Sequence, residues 1–166
     1  WGIKIDYSLE EKALGTMGPL KLINDLPENF LVMNGDVLTD LDYSKFFNYH
    51  LNKNANFTIS SKVRKSKIDY GVLETNNENK LSSFKEKPSI DFEVSMGVYM
   101  INKRILELVP ENLQYGFDDL MKEMLKKDFP VEVKAFDGYW LDIGRPDDYN
   151  LAIDDFEKIR GRFLND

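Results

Sequence analysis

The 166-residue chain contains no cysteine. Disulfides and thiolate metal sites are therefore excluded, and the composition fits a reducing, cytoplasmic setting. No apolar run approaches the ~20 residues that a membrane-crossing helix needs. The one histidine, His50, sits among Phe46, Phe47 and Tyr49, and we assign it no role. No serine stands in a nucleophile-elbow context, so a Ser-His-Asp site has no support. Basic residues are outnumbered: 22 Lys and Arg against 29 Asp and Glu, a formal net charge of −7. That balance argues against nucleic-acid binding, which needs a basic face. Phosphate binding then falls to a few placed cations and a metal. There is no internal repeat, low-complexity tract or linker, so residues 1–166 read as part of one domain.

What is present is an alternation of strand and helix signals. Ile3 to Tyr7 alternates like a short strand. Gly15 to Pro19 is a Gly-rich turn, and Pro19 predicts a helix to about Asp25. Phe30 to Asn34 reads as a buried strand, followed by Asp42 as the N-cap of a helix carrying Phe46, Phe47, Tyr49 and His50. Phe57 to Val63 is a further strand, and the basic run from Lys62 to Lys67 reads as a solvated loop. Tyr70 to Glu74 and Leu81 to Lys85 flank a polar turn and predict a hairpin. Val94 to Ile101 and Val131 to Phe136 are strands around a helix over 118–127. Tyr139 to Gly144 repeats apolar residues, an acid and a turn. Pro146 then opens a last helix, with Asp147 and Asp148 suited to its positive end. The class is α/β, with a mixed, mainly parallel sheet.

Two acids stand out. Asp36 and Asp142 each follow an apolar run and precede a turn. In open α/β sheets ligands bind beyond the carboxyl ends of the strands. Either acid alone reads as a cap of a turn or helix; as a pair they suit a hard divalent cation, because Mg²⁺ takes one or two protein carboxylates plus water and phosphate oxygens. In "FKEKPS", Pro88 favours an extended Lys87 and would help aim its ammonium. Taken alone the segment reads as a surface strand end of mixed charge; as a site, Glu86 can accept sugar hydroxyls and Lys87 can face a phosphate. Gly15 and Gly18, three apart, allow close backbone approach to a ligand or make an ordinary turn. Gly71 and Gly97 lie inside strand patterns, where a bulge, a ligand or a packed aromatic would explain them.

In order and spacing these pieces resemble the sugar-phosphate nucleotidyltransferase family, in particular its mannose-1-phosphate guanylyltransferase-like and glucose-1-phosphate thymidylyltransferase-like branches. The segments are "LGTMGPL" at Leu14–Leu20, "NGD" at Asn34–Asp36, "YGV" at Tyr70–Val72, "EKP" at Glu86–Pro88, "GVY" at Gly97–Tyr99 and "WLDIG" at Trp140–Gly144. The resemblance implies a Rossmann-like sandwich and a Mg²⁺-dependent reaction between an NTP and a sugar 1-phosphate, giving an NDP-sugar and pyrophosphate. It implies Asp36 and Asp142 as metal ligands and Lys87 on the sugar phosphate. Glu86, Gly71 and Gly97 would lie against the sugar, and Gly15 and Gly18 near the nucleoside.

Two departures are visible. Before the "GVY" glycine, where the family places Asn, this chain has Val94-Ser95-Met96. The family's opening G-G-x-G-T-R signature, which cradles the triphosphate, has no counterpart here. The chain starts at Trp1, already in a strand-like pattern. We therefore expect the later part of a domain whose first βα units lie elsewhere. Such a piece should be inactive alone and, with an open sheet edge, able to form a homo-oligomer. Two other classes compete: a nucleotide-sugar-dependent glycosyltransferase using the D-x-D of Asp40 to Asp42, and a non-catalytic binding module.

Overall fold

The computed structural model describes residues 2–163. Among these residues, eight strands and three α-helices follow in chain order: β1 Asn29–Met33, β2 Val37–Thr39, α1 Tyr43–Asn52, β3 Phe57–Lys67, β4 Gly71–Thr75, β5 Leu81–Glu86, β6 Ser89–Asn102, α2 Phe117–Lys126, β7 Glu132–Ala135, β8 Trp140–Asp142 and α3 Pro146–Ile159. Short 3₁₀ turns cover Gly18–Leu22, Lys103–Leu108 and Arg160–Arg162.

The central sheet runs β1-β6-β3-β7. Its middle strand β6 carries the run Met96 to Asn102, buried at every position, as a strand covered on both faces must be. Side chains alternate across it. Tyr99 and Ile101 join Met17, Phe30, Phe57, Ile105, Leu120 and Met124 on one face; Val98 and Met100 meet Phe46 of α1 on the other. Tyr99 stacks on Phe117 at 4.5 Å and lies 5.7 Å from Phe57, joining β6, β3 and α2. The result is a layered α/β fold with a mixed sheet. The helices cap as their sequences direct: the Asp42 carboxylate accepts from the Lys45 N–H at 2.9 Å, and Pro146 occupies the first turn of α3.

Several local expectations change. The parallel pair is β3 with β7, whereas β1–β6, β6–β3, β2–β8 and β4–β5 are antiparallel. The balance thus tips away from mainly parallel, because β6 runs back between β1 and β3. Ile3 to Tyr7 is not a strand. Its side chains are exposed, and no strand among the described residues lies beside it to complete a ladder. The helix at Pro19 is only the 3₁₀ turn Gly18–Leu22, since the Ile23 N–H bonds back to Leu20 and the chain leaves the helical path. The basic run is not a loop: Lys62 to Lys67 continues β3 and pairs with Val94 to Ser89 of β6. Lys87 is not extended but takes φ +44°. It is held there by its N–H bond to the Tyr70 carbonyl and, one residue on, by the Pro88 carbonyl accepting from Ile68. Such a backbone costs on the order of 1–3 kcal/mol for a non-glycine residue.

Candidate active site

A cleft of about 320 Å³ opens where β2 and β8 meet the middle of β6. Asp36 lies in the turn after β1 and Asp142 ends β8. β2, which begins at Val37, pairs antiparallel with β8, with Val37 opposite Asp142, and the Ile143 N–H donates to the Asp36 carbonyl at 2.9 Å. One short ribbon therefore brings both acids to the same end. Their carboxylates converge. The point where a Cβ on Gly144 would sit lies 2.6 Å from Asp36 Oδ2 and 3.2 Å from Asp142 Oδ1. Having no side chain, Gly144 lets both carboxylates come close to its backbone, and its N–H donates to Asp142 Oδ1 at 3.2 Å.

The rest of the wall is aromatic and cationic. Arg64, Lys65 and Ser66 of β3, Phe92 and Ser95 of β6, Trp140 and Arg145 all border the cleft. Arg64 grips Asp148 through two bonds, Nη1 to Oδ2 at 2.8 Å and Nη2 to Oδ1 at 2.9 Å. Its guanidinium lies 5.5 Å above the Trp140 ring. These hydrogen bonds hold the Asp148 carboxyl below the usual carboxylate range although burial opposes it. Reciprocally, Asp148 raises the pKa of Arg64. Trp140 Nε1 donates to the Met96 carbonyl at 2.9 Å and fixes the neighbouring bend. There Gly97 has φ +73°, and a Cβ on it would lie 2.8 Å from Asn34 Nδ2. That glycine lets the Asn34 amide press onto β6 beside the cleft.

The other candidates fall elsewhere. Gly71 pairs with Glu86 across β4–β5. A Cβ on Gly71 would meet the Phe84 ring at 2.7 Å and Glu86 Oε2 at 3.2 Å. Lys87 is tied to Tyr70 next to them. Gly71, Glu86 and Lys87 thus form one group on the hairpin, apart from the residues that line the cleft. Gly15 and Gly18 do not line it either. They pack on the Leu113–Tyr115 segment, whose Tyr115 carbonyl accepts from the Met17 and Gly18 N–H groups. Between them, Thr16 and Met17 border a separate open depression that reaches Asn34, Gly35 and Asp36. The D-x-D acids serve local structure: Asp42 caps α1, and Asp40 Oδ1 accepts from the Tyr139 N–H at 2.7 Å.

Sequence reasoning missed Asn34, Arg64, Lys65, Trp140 and Arg145 as cleft residues, and Asp148 as their anchor. One signal for Asp148 was available: it stands four residues before Ala152, and both lie on the buried face of α3. No group of three or more potential metal ligands occurs among the described residues. The Asp36–Asp142 pair stands as two carboxylates on the wall of one cleft.

A D-glycero-α-D-manno-heptose 1-phosphate guanylyltransferase of Aneurinibacillus thermoaerophilus is 36% identical over 91% of this chain and 66% of its own length. A UTP–glucose-1-phosphate uridylyltransferase of Synechocystis is 31% identical over 92% of this chain and 45% of its own length. The chain thus spans roughly half to two thirds of these curated relatives. The crystal structure of HddC from Yersinia pseudotuberculosis superposes with a TM-score of 0.67, at 26% identity, over 94% of this chain and 68% of HddC. A second HddC structure, complexed with GMP-PN, superposes with a TM-score of 0.62, at 28% identity, over 89% of this chain and 64% of HddC. The family described as Nucleotidyl transferase matches residues 1–159, the cleft and its paired carboxylates included, and the chain belongs to that family.

Proposed function

We propose that the protein carrying this chain transfers a nucleotidyl group from a nucleoside triphosphate to a sugar 1-phosphate and releases pyrophosphate. The observation that carries the reading is the convergence of Asp36 and Asp142 on the space beside Gly144. A phosphate oxygen of the sugar 1-phosphate attacks the α-phosphorus. The bond from that phosphorus to the bridging oxygen of the β-phosphate breaks, and its electron pair leaves with pyrophosphate. No protein nucleophile takes part; positioning and charge neutralisation suffice.

The donors fit a hard divalent cation. Both are carboxylates, and one oxygen of each lies within 3.2 Å of a single point beside the Gly144 backbone. Asp36 and Asp142 would hold Mg²⁺, which when bound neutralises phosphate charge. Lys65 and Arg145 border the same cleft and would offset the remaining charge of the phosphates. Lys87 would pair with the sugar phosphate and Glu86 with sugar hydroxyls. Gly71 and Gly97 would lie against the sugar and the Gly15–Gly18 turn near the nucleoside. GTP with a heptose or hexose 1-phosphate is the first pair to try, given the guanylyltransferase relative and the GMP-PN complex of HddC.

The test is pyrophosphate release by the full-length protein, with several NTPs, sugar 1-phosphates and Mg²⁺, beside the Asp36→Asn and Asp142→Asn variants. Release should require the sugar phosphate and fall roughly a hundredfold in each variant. No release with any pair, or undiminished release by both variants, overturns the reading.

A further inference from the structure

Asp147 and Asp148 stand side by side at the start of α3, yet only one is exposed. Asp148 retains 4% of its surface. An acid serving only the helix dipole has no need to leave water. Burial of a carboxylate requires that its lone pairs be satisfied, and here they are. Asp148 Oδ2 accepts from Arg64 Nη1 at 2.8 Å and from the Asp142 N–H at 3.1 Å, while Oδ1 accepts from Arg64 Nη2 at 2.9 Å.

All three bonds end on residues of the cleft. The first partner is the backbone of Asp142 itself, so Asp148 fixes the peptide from which that carboxylate projects. The second is Arg64, whose plane is set both by the two-point grip and by the Trp140 ring beneath it. Its positive charge also acts on Asp142. A carboxylate meets these demands and a carboxamide does not. Three donors converge on two oxygens, and an amide nitrogen in either place would face a donor.

Resting on the nucleotidyl-transfer reading, we propose that Asp148 is a positioning residue: it locks Asp142 and Arg64 into one unit and so holds the Asp36–Asp142 pair at the spacing a divalent cation requires. Asp148 acts through Asp142, as outer-shell partners of ligating carboxylates do.

The experiment measures Mn²⁺ affinity by water-proton relaxation, with a non-hydrolysable nucleoside triphosphate present, on the full-length protein. Asp148→Asn should weaken Mn²⁺ binding about 10- to 100-fold in a protein that remains folded by circular dichroism. The double variant Arg64→Gln/Asp148→Asn strands no buried charge and should show a loss of the same order; it decides the matter if the single variant does not fold. Asp36→Asn is the control. If it loses Mn²⁺ while the folded Asp148 variants bind as the wild type does, the positioning role falls and the metal reading stands. If Asp36→Asn also binds like the wild type, both fall.

Discussion

The Ile143 N–H donates to the Asp36 carbonyl at 2.9 Å, closing the register in which Val37 faces Asp142. That one bond joins a turn after the first strand of the sheet to the end of the last strand in the chain. It places two acids 106 positions apart in sequence on the same side of one cleft.

Gly144→Ala should harm function more than stability. Gly144 needs no left-handed backbone, so alanine fits its dihedral angles. Its methyl, however, would meet Asp36 Oδ2 at 2.6 Å and must push the carboxylate aside. A displacement of about 1 Å at a reacting centre can cost 10²-fold in rate. We expect kcat to drop by about that factor with Tm nearly unchanged, measured by pyrophosphate release and thermal melting. Wild-type kcat would mean that the space beside Gly144 is not used.

Lys87 separates charge from backbone. Lys87→Ala should lower kcat/KM for the sugar phosphate by about 1.5–3 kcal/mol, the worth of a charge-assisted hydrogen bond. Lys87→Gly should lose the same activity but gain roughly 1 kcal/mol of stability over Lys87→Ala, because φ +44° suits glycine. Chemical denaturation and kinetics varying the sugar phosphate check both. Equal stability of the two variants would show that the left-handed backbone is not strained.

His50 should make stability depend on mild acid. It is fully buried on the inner face of α1. Its Nδ1 lies 2.7 Å from Thr58 Oγ1, and its Nε2 3.1 Å from Asn29 Oδ1. Asn102 Nδ2 donates to the same Asn29 oxygen, so the neutral tautomer with hydrogen on Nε2 satisfies every partner. Burial lowers the folded-state pKa below the ordinary value near 6.5. The unfolded chain therefore binds a proton first. The stability that neutral His50 contributes is complete above pH ~6.5 and is lost as pH falls from there towards the folded-state pKa. Urea unfolding at pH 7.5 and 5.5 should show a drop for the wild type that His50→Gln lacks. An identical drop in the variant would assign it to other groups.

Much of the framework was legible from local patterns. The apolar run of β6, the Asp42 cap, the β4–β5 hairpin and the Pro146 helix start all depend on residues within a few positions of one another, and the chain's own periodicity expresses them. Asp36 and Asp142 were visible too, since each ends an apolar run at a turn. Partnership was decided only in three dimensions. The basic run Lys62 to Lys67 reads as a loop because its pairing strand begins 22 residues later, at Ser89. Asp147 and Asp148 looked alike because helix-end chemistry does not distinguish them; only the place of Arg64 above Trp140 selects Asp148 for burial. Ile3 to Tyr7 had a strand's alternation, but a strand forms only when a neighbour takes its hydrogen bonds. Sequence determined the elements and the acids that end them. Tertiary structure decided which acids meet, because hydrogen-bond register and charge pairing are properties of two segments together.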